Sequence, residues 1–355
     1  MKKTFVLKVD SQEPDQYKIR QAADLIRNGK LVAFPTETVY GLGADALNSK
    51  AVKSLFKAKK RPFDNPPIVH VSDIEMVYKL AKTVPPNAEK LMKKFWPGPL
   101  TLIFKRSMIV PSITVAGLDT VAVRMPRHAV ALALIRESGC PIAAPSANLA
   151  GKPSPTSAEH VLEDLNGRID AVLDAGPTYI GVESTVLDLT VKTPEVLRPG
   201  GTPFEILKQI LDNAILHPIA LAEKEVDVEK ARSPGMKHRH YAPSAEMIVV
   251  EGDLAGIVGK VRELASFYES KSFKVGILAT DETIANYSAD VVRSVGSRSD
   301  LEGVARNLFR LLRELDAKGV NFIIAEGVPV EGLGLAVMNR LRKACGYRIV
   351  KANRY

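Results

Sequence analysis

The chain has 355 residues, more than a single hydrophobic core usually accommodates, so two domains of roughly 100 to 200 residues are expected. Hydrophobic residues make up 46% and charged residues 25%, which excludes a disordered or fibrous chain, and no apolar run reaches the roughly 18 residues that a membrane span needs. The net charge of +9 suits a phosphate-bearing or nucleic-acid partner. It is spread out, however, with 28 basic against 22 acidic residues up to residue 213 and 21 against 18 after it, so neither half is a basic arm. Lys8 and Asp10 cut the apolar stretch that follows Met1-Lys2-Lys3 to a strand's length, so a signal peptide is not expected and a cytoplasmic protein is. Cys140 and Cys345 have no Cys or His at metal-ligand spacing, and both read as core residues without zinc.

From about Asp15 helix and strand patterns alternate, as in a layered α/β domain. A helix over 17–28 places Ile19, Ala22, Ala23 and Ile26 on one face, with Gly29 at its C-terminal cap and a strand over 31–34 next. A second helix starts near Asn48 or Ser49, buries Val52, Leu55 and Phe56, and stops before Pro62. Apolar runs at 68–71, 100–104, 121–125, 142–144, 171–173, 185–189 and 196–197 read as strands of a mixed sheet, closed by a helix near 203–211. Residues 214–245 read as a linker whose second half, Ser233 to Pro243, is too basic and aromatic for a spacer. Beyond it, strands at 247–250, 275–279, 291–295 and 322–325 alternate with helices at 254–268, 301–317 and 335–344, the pattern of a small parallel Rossmann-like unit. The division expected is therefore 1–213, 214–245 and 246–355.

No phosphate-binding loop of the G-x-x-x-x-G-K-[ST] type occurs, nor a G-x-S-x-G elbow or an H-E-x-x-H helix. Gly41-Leu42-Gly43-Ala44-Asp45-Ala46 is half of a dinucleotide fingerprint and reads more readily as a tight strand-to-helix turn. What remains is a set of polar residues where apolar strands end, the place where open α/β sheets bind ligands. Thr36-Glu37-Thr38 follows the first strand, with hydroxyls suited either to a small polar substrate or to capping the next turn. Lys57, Lys59, Lys60 and Arg61 crowd the end of the second helix, where cations complement the dipole but where Arg61 also offers a planar fork for phosphate. His70 sits in a strand beside valines. Arg124 lies within an apolar strand and needs an anion, either a carboxylate such as Glu183 or one from a substrate. Ser146 and Asn148, then Gly151 and Ser154, then Gly181 to Thr185 and Leu197 to Gly201 repeat the theme of polar groups abutting strands. Together they describe a cleft of cations, hydroxyls and backbone amides fit for a triphosphate beside an amino acid.

The run from Pro35 to Gly43 and the pairing of Lys59-x-Arg61 with Ser146-x-Asn148 resemble the opening motif and four-residue signature of the YrdC-like family. The added C-terminal unit and the 233–243 motif resemble its two-domain threonylcarbamoyl-AMP synthase branch. The resemblance implies a twisted mixed-sheet α/β domain with a deep basic cavity, plus a smaller Rossmann-like parallel α/β domain. It implies an enzyme that joins L-threonine, bicarbonate and ATP, with Mg2+, and passes its product on for threonylcarbamoylation of tRNA. By the same resemblance Thr36 or Thr38, His70, Arg124, Ala144 and Ser184 contact threonine. Lys59, Arg61, Asn65, Thr120, Ser146, Asn148, Ser154 and Arg198 hold ATP, and one of Lys237, Arg239, His240 and Tyr241 reaches the nucleotide from a closing lid.

Two rivals stand beside this reading. An RNA-binding protein or translation factor fits the net charge, with weak tRNA binding, but aromatic residues are only 6% and no stacking motif is present. Carbamoyl transfer of the hydrogenase-maturation kind calls for zinc-binding and acylphosphatase modules, for which this chain has no room.

Overall fold

The computed structural model describes residues 3–224, 232 and 240–352. They fall into two compact units, the first taking in residues 3–150, 154–217 and Arg232, the second residues 151–153, 218–224 and 240–352.

The first unit begins as the hydrophobic spacing foretells. Helix Gln16–Arg27 starts where the Asp15 side chain accepts from the backbone N–H of Tyr17 and Lys18, and Ile19, Ala22, Ala23 and Ile26 are fully buried. Gly29, at φ +70°, turns the chain into strand Val32–Phe34. Helix Ser49–Lys59 is capped by Asn48 and ends not on a glycine but on Lys60 in the left-handed region at φ 52°.

Eleven strands form one mixed sheet. Their order across it is Phe5–Lys8, Ala171–Asp174, Val32–Phe34, Gly41–Asp45, Ile142–Ala143, Val69–His70, Thr120–Arg124, Leu100–Lys105, Thr185–Asp188, Glu195–Arg198 and Ile215–Leu216. Gly41–Asp45 is thus a strand, antiparallel to Val32–Phe34, and not the strand-to-helix turn expected of its glycines. The glycines serve packing: a Cβ on Gly43 would stand 2.9 Å from both Ile142 and Phe34 side-chain atoms. Only a bare backbone lets the strand lie against its neighbours there. Because Val32–Phe34 and Gly41–Asp45 pair, the segment carrying Thr36, Glu37 and Thr38 becomes the connection between two central strands.

The second unit is a five-stranded sheet, all parallel, in the order Val291–Ser294, Val275–Ala279, Phe322–Glu326, Glu246–Gly252 and Ile349–Ala352. Helix Leu254–Ser270 buries Ile257, Val261 and Ala265 against Ile248, Val250, Ile277 and Ile324. Helices Leu301–Ala317 and Leu333–Ala344 complete the alternation, the latter almost wholly buried. The fifth strand, Ile349–Ala352, was not expected. Four residues ending in Lys351-Ala352 carry too short a pattern to register before their partner strand is known. Among the described residues no helix is long and apolar enough to cross a membrane.

Candidate active site

Sheet pairing brings the separate motifs of the first unit together. The backbone N–H of Ile180 and Gly181 donate to the carbonyls of Glu37 and Thr38 at 2.9 and 3.1 Å, and Ala147 N–H donates to the Tyr40 carbonyl at 2.8 Å. Tyr40 N–H in turn reaches the Pro155 carbonyl at 2.9 Å. The 36–40 connection is therefore laced to the 146–155 loop on one side and the 180–185 loop on the other. Gly200 allows a further close approach, since a Cβ there would stand 2.3 Å from the Glu183 carbonyl oxygen.

At the centre is Arg124, 3% exposed and last in its strand. Its Nη1 donates to Thr38 Oγ1 at 3.0 Å, its Nε to the Gly98 carbonyl at 3.2 Å, and its Nη2 stands 2.6 Å from a carboxylate oxygen of Glu37. The protein anion on Arg124 is thus Glu37, and not Glu183, the carboxylate the sequence offered beside a substrate's own. Glu183 instead accepts from the Ser154 hydroxyl at 2.6 Å. Sequence distance misled here, because the 36–40 connection and the end of strand Thr120–Arg124 meet only through the sheet. Of the two threonines, Thr36 donates its hydroxyl hydrogen to the Val39 carbonyl at 2.7 Å and shapes the turn, whereas Thr38 is the one that touches Arg124.

His70 lies beside Arg124 in register on the neighbouring parallel strand. It is 3% exposed, with its ring edge-on to Phe34. Burial, and secondarily the Arg124 charge, pull its pKa down to about 3, so the imidazole is neutral at physiological pH. Its Nδ1 accepts no well-aligned hydrogen bond from a described residue.

Lys59 does not face solvent, as a helix-end lysine ordinarily would. It is 1% exposed, and its Nζ donates to the backbone carbonyls of Ser146 and Asn148. The two halves of the motif thus touch, and the ammonium draws the small-residue loop onto the helix end. Arg61, 7% exposed, donates Nε to the Asn65 carbonyl at 2.9 Å, which fixes the plane of its guanidinium. Arg198 donates to Ser184 twice, Nε to the carbonyl at 3.1 Å and Nη2 to the hydroxyl at 3.2 Å, and that hydroxyl also pairs with Thr101. Ala144 is 5% exposed, with its N–H bonded to the Ile68 carbonyl. Thr120, by contrast, starts the strand that Arg124 ends, so the two stand at opposite ends of it.

Lys237 and Arg239 lie outside the described residues. His240 and Tyr241 are described, and within the second unit Tyr241 stacks on Phe309 at 5.3 Å with the Arg340 guanidinium 5.5 Å from its ring centre. Glu37 is the site residue that sequence reasoning passed over, although a carboxylate between two threonines at a strand's end was itself a signal.

Residues 24–200 match the Sua5, YciO and YrdC family model, described under telomere recombination, and residues 203–346 match the model of the threonylcarbamoyl-AMP synthase C-terminal domain. A threonylcarbamoyl-AMP synthase of Pyrococcus abyssi is 56% identical over 337 residues, covering 95% of this chain and 96% of its own. The chain belongs to the threonylcarbamoyl-AMP synthase family. A second member, from Bacillus subtilis, is 51% identical over 353 residues, with 99% of each chain covered. The crystal structure of the P. abyssi family member Sua5 complexed with L-threonine superposes with a TM-score of 0.94 at 53% identity, over 98% of this chain and 100% of that one. The α/β architecture expected from the resemblance, a mixed sheet followed by a parallel one, is the family's own.

Proposed function

We propose that this chain makes L-threonylcarbamoyl-AMP from L-threonine, bicarbonate or CO2, and ATP, as a nucleotidyltransferase that releases pyrophosphate. The observation that carries the reading is Arg124, a buried guanidinium with hydroxyl neighbours at the end of a strand and an uncharged histidine alongside. Full-length similarity to synthases of that name, one of them crystallised with L-threonine, supports it.

In this reading Arg124 and Thr38 take the threonine carboxylate, with His70, Ala144 and Ser184 around the rest of the molecule and Thr36 shaping the turn behind. The neutral imidazole can donate or accept toward the substrate without adding charge. Threonine's deprotonated amine attacks bicarbonate, giving the carbamate and water. The carbamate oxygen then attacks the α-phosphorus of ATP, and the bond to the β-phosphate oxygen breaks to expel pyrophosphate. Such substitution calls for positioning and charge neutralisation more than for a covalent nucleophile. Arg61 and Arg198 supply cationic forks for the phosphates, while Lys59 holds the Ser146 to Asn148 loop whose small residues let a nucleotide approach the backbone. Asn65, Ser154 and Thr120 complete the proposed nucleotide set.

These cations are donors to phosphate, not metal ligands, so Mg2+ would ride on the nucleotide's own phosphates and add charge neutralisation there. The labile carbamate and mixed anhydride favour closure against water, the role proposed for the 233–243 segment. The work divides between a catalytic domain, 1–213, and a C-terminal domain, 246–355, joined by 214–245. The product goes to a tRNA threonylcarbamoyl transferase, which sets the place of action in the cytoplasm.

Pyrophosphate release from ATP, followed with threonine and bicarbonate present together or each omitted, tests the reaction. Release that requires both is expected; release indifferent to either sinks it and returns the RNA-binding alternative.

A further inference from the structure

Glu37 is a buried charge of the first unit's site that the proposed reaction does not use. Its side chain is fully buried between Thr36 and Thr38. One oxygen stands 2.6 Å from Arg124 Nη2, and neither oxygen accepts a well-formed hydrogen bond from any described residue. Its backbone carbonyl is tied to Ile180 N–H at 2.9 Å, so the residue is held in place by backbone and side chain together. The other charged or titratable groups that feel it are Arg127, which is exposed and screened by water, and His128, whose pKa burial pulls down.

The charge balance follows. Arg124 contributes one buried cation, Glu37 one buried anion, and His70 none. Two of the guanidinium's five hydrogens go to Gly98 and Thr38, leaving one on Nη1 and both on the Nη2 that faces Glu37 for a ligand. A carboxylate docking there places a second anion on one buried guanidinium, where unbalanced charge is costly. A ligand that brings its own cation next to its carboxylate avoids that cost. An α-amino acid does so; a hydroxy acid of the same shape does not.

We propose that Glu37 is a positioning and specificity-determining residue: it fixes the Arg124 guanidinium and makes the amino-acid subsite demand an α-ammonium beside the substrate carboxylate. The inference rests on the reading that Arg124 holds the threonine carboxylate. Glu37 thereby admits zwitterions and rejects simple carboxylates, and it keeps the amine that must become the carbamate within the field of a fixed negative charge.

The test is competition against threonine in the pyrophosphate assay by 3-hydroxybutyrate, which keeps the carboxylate and hydroxyl and lacks the amine. In the wild-type protein, 3-hydroxybutyrate should inhibit with an affinity at least about tenfold weaker than that of threonine, given the strength of charge-assisted contacts; equal competition overturns the proposal without any variant. Glu37→Gln keeps the size and an acceptor for Arg124 but removes the charge. It should raise the KM for threonine while leaving or lowering the inhibition constant of 3-hydroxybutyrate, so that their ratio falls about tenfold. Glu37→Asp, which keeps the charge, should restore that ratio. A ratio unmoved in Glu37→Gln, or one that falls equally in Glu37→Asp, assigns Glu37 a merely structural part. Arg124→Ala separates the two layers: if it leaves the threonine KM unchanged, the reading of the subsite itself fails.

Discussion

Two buried carboxylates of the second unit and Glu37 of the first are partnered in opposite ways. In the second unit Glu251, 8% exposed, receives both Nε and Nη2 of Arg342, at 2.7 and 2.9 Å, together with Lys351 Nζ at 2.7 Å. Glu326, 2% exposed, accepts from the Thr280 backbone and hydroxyl, from Thr283, and from the Tyr287 hydroxyl. Burial and that carboxylate together push the Tyr287 phenol upward, so it stays a donor. Both carboxylates are saturated by the protein. In the first unit Glu37 has a single ion-pair partner among the described residues, and the Nδ1 of His70 accepts no well-aligned hydrogen bond from them. Saturated networks rigidify a core; open valences at the ends of strands are where a ligand's groups complete the count.

The sharpest break of this comparison is a pair of matched substitutions. Arg124→Ala strands the buried Glu37 carboxylate and should cost on the order of 3–5 kcal/mol in denaturant unfolding, whereas Arg342→Ala leaves Glu251 paired with Lys351 and should cost less. Only Arg124→Ala should also lower kcat/KM for threonine, by at least about tenfold, since a lost charge-assisted contact is worth on the order of 1.5–3 kcal/mol. A comparable threonine defect in folded Arg342→Ala protein would erase the distinction. Within the first unit, Arg61→Ala should raise the KM for ATP about tenfold while leaving that for threonine unchanged, again from the worth of one charged contact.

Acid unfolding sharpens the contrast further, because the two units should fail in different pH windows. His70 is held neutral, its folded pKa near 3 against 6.5 when free, so an unfolded chain binds a proton below pH 6.5 that the folded one refuses. Stability is complete above that value and falls as pH drops from 6.5 toward about 3, with His128 shifted in the same direction. Burial pushes Glu251 upward, but Arg342 and Lys351 outweigh it and hold its carboxyl below 4.5. Its contribution is present above 4.5 and fades only below it. Stability curves of His70→Asn should therefore flatten between pH 6.5 and 4.5, and those of Glu251→Gln only below 4.5; the reverse assignment would be decisive against this account. The smallest effect belongs to Lys105→Ala, which breaks the exposed pair with Asp119 and should shift unfolding by no more than about 0.5 kcal/mol.

Much of this molecule is legible in its residues alone, and for local reasons. The face of helix Gln16–Arg27, the stop before Pro62, the strand runs and the regular alternation after residue 246 are short-range periodicities and caps that need no partner to be read. The family likewise lies in the spacing of Lys59, Arg61, Ser146 and Asn148, which survives without coordinates. What tertiary structure alone decided are the pairings across the sheet. Gly41 to Asp45 reads as a turn until Phe34 and Ile142 claim the space of a missing Cβ. Lys59 reads as a solvated helix end until its ammonium meets the Ser146 and Asn148 carbonyls. Glu183 was as good a partner for Arg124 as Glu37 until strand order set the 36–40 connection beside it. Sequence encodes what each residue offers; which of two equivalent carboxylates faces a given guanidinium depends on contacts 87 positions apart along the chain, and only the folded sheet supplies those.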